Sequence, residues 1–83
     1  MRYDGGMKNA GRTNAAVSML IKDGMSTRGI TQADIANKIG RKAQSYVSNR
    51  LNNRDSWSIA ELDIIAPLLG YTNALALIAS AVA

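Results

Sequence analysis

The chain has 83 residues, 47% of them apolar and 19% charged, which is the composition of one globular domain rather than a disordered segment. It contains no cysteine and no histidine, which excludes disulfide scaffolds, Cys/His zinc sites, thiol nucleophiles and histidine acid–base chemistry. All ten Lys and Arg lie between Arg2 and Arg54, so residues 1–54 carry +7 and residues 55–83 carry −3; only the first part is an anion-binding candidate.

Residues 1–12 hold three glycines and no hydrophobic period, and read as a flexible basic arm ahead of a domain over residues 13–83. The arm has no apolar run of the signal-peptide kind. The uncharged stretch from Ile64 onward is broken by Pro67, Gly70 and Asn73, and its last piece is too short to cross a bilayer. A cytoplasmic location is expected.

Val17, Leu20, Ile21 and Met25 fall at i, i+3, i+4 and i+8, which predicts a first helix over residues 13–27 with a stop at Gly29. Gly24 lies on the same stripe and is expected to fray it, at a cost of about 1 kcal/mol relative to Ala. Thr31 with Asp34 is a variant of the capping box, with Ile30 and Ile35 as its staple, and starts a second helix over 32–39. Ser58 with Glu61 is a full capping box, stapled by Trp57 and Leu62, and starts a fourth helix over 59–69. Pro67 cannot donate to the Asp63 carbonyl, so a bend or early end is expected there. Between the boxes, residues 44–52 suit a third helix. After Gly70, Thr72 or Asn73 caps a fifth that runs to Val82. No segment alternates with period two. The predicted fold class is all-α, five short helices.

Helices two and three are joined by Gly40, which supplies a positive φ at no steric cost. Ala36 is small where the pair would cross, and Ile35, Ile39, Val47 and Leu51 offer the apolar seam. This pattern predicts a helix-turn-helix unit, whose second helix enters the DNA major groove. On helix three, Ser45, Ser48, Asn49 and Asn52 share the face opposite Val47 and Leu51, with Gln44 at its leading end. All are neutral hydrogen-bonders, and Gln and Asn match the adenine edge. No acid lies between Lys38 and Arg54, although Lys38, Arg41, Lys42, Arg50 and Arg54 all fall in that interval. An ordinary solvated helix mixes signs; an acid-free one flanked by five cations suits a polyanion.

At these residues the chain resembles the lambda-repressor-like helix-turn-helix family (Cro/repressor, Xre type). The resemblance rests on Thr31-Gln32-x-x-Ile35-Ala36-x-x-Ile39-Gly40, Gln44-Ser45-Tyr46-Val47-Ser48 and Arg50-Leu51. It continues through Glu61-Leu62-Asp63-x-Ile65-Ala66-x-Leu68-Leu69-Gly70, and covers about forty residues in the family's order. Gly40 to Val47 is one step longer than the family's usual spacing, which leaves the start of helix three open by one residue. Lys42 and Ala43 also cannot provide a side-chain cap, so the first N–H groups of that helix are expected to face a DNA phosphate.

The resemblance implies a phage- or prophage-type repressor in a bacterial or phage-infected cell, associated with the nucleoid and bound to double-stranded operator DNA. The family's base-reading positions fall on Gln44, Ser45, Ser48 and Asn49, and Asn52 extends the same face. Gln32 matches a family position that clamps a phosphate; Lys38, Arg41, Lys42, Asn53 and Arg54 are the other expected backbone contacts. Arg2, Lys8 and Arg12 in the arm either reach a groove or stay idle.

Trp57 reads as a staple over helix four and Tyr71 as packing at that helix's end. Tyr46 either covers the core edge or touches a phosphate through its hydroxyl. No P-loop, paired-carboxylate face or nucleophile–base pair is present, so no enzymatic activity, cofactor, metal or small-molecule ligand is expected. One such domain buries too little DNA surface for specific affinity, so a homodimer on a two-fold operator is expected. Helix five carries no charge, and Leu75, Ile78, Ala79 and Val82 are its dimer candidates, unless the segment merely closes the monomer core. The alternative functions are an antitoxin-like partner held by the apolar tail and an accessory architectural protein in recombination.

Overall fold

The computed structural model describes residues 11–41 and 44–83. The described residues are all-helical and contain no strand: α1 (Arg12–Arg28), α2 (Gln32–Lys38), α3 (Gln44–Leu51), α4 (Ile59–Ile65), a 3-10 turn (Ala66–Leu69) and α5 (Ala74–Val82). The long α1 packs against α3, the 3-10 turn and α5, while α2 packs on α3 and α4. The core they enclose holds Val17, Ile21, Ile35, Val47, Leu51, Leu62, Ile65, Leu69 and Leu77.

The helix starts follow from local chemistry. Thr31 Oγ1 accepts from the Asp34 N–H and the Asp34 carboxylate accepts from the Thr31 N–H, so both halves of the box form. Ser58 and Glu61 do the same at α4. Asn73, rather than Thr72, caps α5 by accepting from the Ala76 N–H at 2.9 Å. The first turn of α5 has no acid of its own. Asp63 of α4 supplies one, accepting from the Ala74 N–H at 2.8 Å.

The helix ends are equally local. At Gly40 (φ 78°) the Arg41 N–H returns to the Ala36 carbonyl at 2.8 Å and the Gly40 N–H to Asn37, the paired bonds of a Schellman end. The same pair closes the 3-10 turn, where Tyr71 donates to Ala66 and Gly70 to Pro67. At the end of α3 the left-handed residue is Asn53 (φ 61°), with Arg54 donating to Asn49 and Asn53 to Arg50. Asn is the side chain that best tolerates this backbone after glycine.

One expectation is met and one changes. The early end expected at Pro67 within residues 59–69 is present: α4 ends at Ile65, and Ala66-Pro67-Leu68-Leu69 tightens into the 3-10 turn because Pro67 has no N–H for Asp63. Gly24 does not interrupt α1. A β-carbon there would stand 2.9 Å from Leu69 Cδ2, so the missing side chain admits the 3-10 turn against α1. No single helix among the described residues is long and apolar enough to cross a membrane.

Candidate nucleic-acid interface

The α2–α3 pair brings the seam residues Ile35, Val47 and Leu51 into the core, with Ile39 partly buried beside them. Ala36 is buried, at the point where its carbonyl also receives Arg41. With Val47 and Leu51 turned inward, Ser45 and Asn52 are exposed on the other side of α3, and Ser48 and Asn49 are half-buried between them. Asn52 Nδ2 donates to Ser48 Oγ at 3.3 Å, so two of these groups already hold each other's orientation. The Asn49 side chain has no partner among the described residues. Helix three starts at Gln44 as expected. Its anticipated lack of a side-chain cap falls on Lys42 and Ala43, which lie outside the described residues, as do Arg2, Lys8 and the Gln44 side chain.

The cations separate into two kinds. Lys38, Arg41 and Arg54 are exposed at the ends of α2 and α3, and Arg12 opens α1. Gln32 is half-buried on the first turn of α2. Arg50 belongs to the interior. Its side chain is 16% exposed, Nε lies 3.5 Å from Glu61 Oε1, and Nη1 lies 3.8 Å from Asp55 and donates to the Tyr46 carbonyl at 3.2 Å. One of the five cations counted around helix three is therefore spent inside the protein.

Tyr46 sits under that arginine. The Arg50 guanidinium carbon is 3.6 Å from its ring centroid and that of Arg41 is 4.6 Å away. Its hydroxyl donates to Glu61, so that group is taken up within the protein. Burial alone would raise the Glu61 carboxyl. The Ser58 N–H, the Tyr46 hydroxyl, the Arg50 charge and the Ser58 hydroxyl outweigh it and hold the carboxyl below the usual glutamate value. Asp34 is also lowered, by the Thr31 backbone N–H and then by its hydroxyl. All three acids of the −3 segment thus have internal partners: Asp55 with Arg50, Glu61 with Ser58, Tyr46 and Arg50, and Asp63 with α5.

Asn53, expected at the DNA backbone, is committed elsewhere. Its Oδ1 accepts from Asn14 Nδ2 at 2.8 Å and its Nδ2 donates to the Gly11 carbonyl at 3.3 Å. Asn14 Oδ1 accepts from the Trp57 N–H, and Ser18 Oγ accepts from Trp57 Nε1 while donating to the Arg50 carbonyl. Trp57 is therefore more than a staple on α4: it is bonded at both nitrogens to α1. Sequence reasoning missed Asn14 and Ser18. The only signal was their i, i+4 spacing beside the apolar stripe.

On α5, Leu75 is 75% exposed and Val82 55%, with Ala79 exposed between them. Ile78 is half-buried and, with Trp57 and the 61%-exposed Ile59, lines a surface cleft of about 230 Å³ where α1, the start of α4 and α5 meet. Tyr71 packs against the core at the end of the 3-10 turn, as expected. Comparison with known protein families, curated proteins and solved structures finds no match to this chain.

Proposed function

We propose that this chain is a sequence-specific double-stranded DNA-binding regulator of the lambda-repressor-like helix-turn-helix type, with α2 and α3 as the motif and α3 in the major groove. The observation that carries this reading is the sorting of charge around α3. Its outer face offers only neutral hydrogen-bonders, exposed Lys38, Arg41 and Arg54 stand at its rims, and the nearest acids, half-buried Glu61 and the more exposed Asp55, both pair with Arg50. A duplex requires that arrangement: neutral groups to read base edges and unpaired cations to take phosphates. No reaction step is assigned to the chain.

Dimerisation through α5 completes the proposal, because two domains reading half-sites about 34 Å apart gain the surface that one lacks. Leu75 and Val82 support it, since large apolar side chains this exposed on an uncharged helix are suited to cover by another protein. The same face favours the second reading, a protein-interaction partner of the antitoxin kind. Val82→Asp is expected to abolish a dimer and weaken duplex binding together if the partner is a second copy. A monomeric wild type in solution and on DNA points to the second reading.

The deciding experiment is selection of binding sites from a random duplex pool. A two-fold motif is expected. Asn49→Ala should relax preference at one position of the half-site by about 1–3 kcal/mol, and Arg54→Ala should weaken all duplexes alike and lower the salt slope by about one per bound domain. A pool that shows no enrichment, with binding that does not fall as salt rises, would overturn the reading.

A further inference from the structure

The cations around α3 differ in how firmly they are held before any ligand arrives. Arg54 and Lys38 are exposed and have no side-chain hydrogen bond, ion pair or ring contact among the described residues. Arg41 is also exposed and has no carboxylate within ion-pair distance among them, yet its guanidinium rests 4.6 Å from the centre of the Tyr46 ring. The ring is in turn immobilised. Arg50 stacks on it at 3.6 Å, and its hydroxyl is bonded to Glu61, the residue that also closes the capping box of α4. Arg50 is answered by two carboxylates and mostly enclosed, so it braces the ring and has no free charge to offer outside.

We infer that Tyr46 is a positioning residue for the DNA backbone: its ring holds Arg41 beside the start of α3, where the guanidinium takes a phosphate. The inference rests on the DNA-binding reading above and deepens it by naming which cation is prepared in advance. An arginine that must order on binding spends affinity on lost side-chain freedom; one already stacked on an aromatic face has lost that freedom in the free protein. The hydroxyl–carboxylate bond adds electron density to the ring and so strengthens its attraction for a cation.

A double-mutant cycle tests this with the full chain and a labelled mixed-sequence duplex of about 24 base pairs, long enough for two half-sites. Tyr46→Leu is expected to weaken binding roughly two- to five-fold, the size of an exposed cation–π contact. In an Arg41→Ala background the same change should have no effect, because the ring acts through Arg41. Arg41→Ala alone should lower the salt slope by about one per bound domain, whereas Tyr46→Phe, which keeps the ring but loses its bond to Glu61, should weaken binding less than Tyr46→Leu. Arg41→Lys alters only an exposed side chain and so leaves the core intact even if Tyr46→Leu does not fold. It keeps the charge but loses the planar stack, and should bind as weakly as Tyr46→Leu. Wild-type affinity in Arg41→Lys, or an equal loss from Tyr46→Leu in both backgrounds, overturns the inference while the DNA reading stands. A wild-type chain that binds no duplex at any salt overturns the DNA reading itself.

Discussion

The Asn14 side-chain amide donates to Asn53 Oδ1 at 2.8 Å and so joins the first turn of α1 to the residue that ends α3. Asn53 has a left-handed backbone and two tertiary hydrogen bonds, and substitution separates those contributions. Asn53→Ala should cost about 1–3 kcal/mol in urea unfolding, from the lost bonds and the β-carbon at positive φ. Asn53→Gly loses the same bonds without the backbone strain, and should be about 1 kcal/mol more stable than the alanine variant. Equal stabilities would assign the whole effect to the side-chain bonds.

Ser18 is buried between Trp57 Nε1 and the Arg50 carbonyl. Ser18→Ala leaves an indole N–H without its acceptor, and an unsatisfied buried donor costs about 1–3 kcal/mol. Trp57→Phe in that background removes the stranded donor, so the two losses should add to less than their sum. Strict additivity in denaturation midpoints would refute the bond.

At Gly24 two effects oppose each other. Alanine favours the helix by about 1 kcal/mol, but its β-carbon meets Leu69 Cδ2, the end of a side chain with little room to turn. Gly24→Ala should be near neutral, and Gly24→Val should lose about 1–3 kcal/mol through overpacking. A thermal scan that ranks valine at or above glycine would show that the 3-10 turn does not sit against α1.

Glu61 has a folded carboxyl below its unfolded value, so its contribution is fully present above the ordinary glutamate pKa of about 4.3 and is lost as pH falls through the lowered value. Asp34 contributes with the same sign. Stability should therefore be flat near neutrality and fall in acid. Glu61→Gln should lower the neutral plateau, since Arg50 loses a charged partner, and should reduce the acid slope. An unchanged slope would remove Glu61 from the account.

What could be read from the chain alone was whatever one turn of backbone decides. A Thr31 or Ser58 hydroxyl lies within reach of the N–H three residues on whatever else the protein does, and Gly40 or Gly70 takes a positive φ regardless of what packs above it. The apolar stripes were equally visible, because helical spacing sets which side chains share a face. Three of the four residues assigned to the seam of helices two and three are buried, and the fourth is partly so.

What remained hidden was the result of docking. Arg50 counts as a surface cation until α4 brings Glu61 to it. Asn53 counts as a loop polar group until the start of α1 crosses the end of α3. Gly24 reads as a defect until Leu69 arrives beside it. In each case the partner lies 11 or more residues away, so the bond exists only once helices are placed. The sequence by itself determined the helices, their caps and the imbalance of charge between the two segments, because these depend on neighbours along the chain. The tertiary structure decided which of those charges remain outside, because ion pairs and stacked rings form only where packing brings distant side chains within a few ångströms.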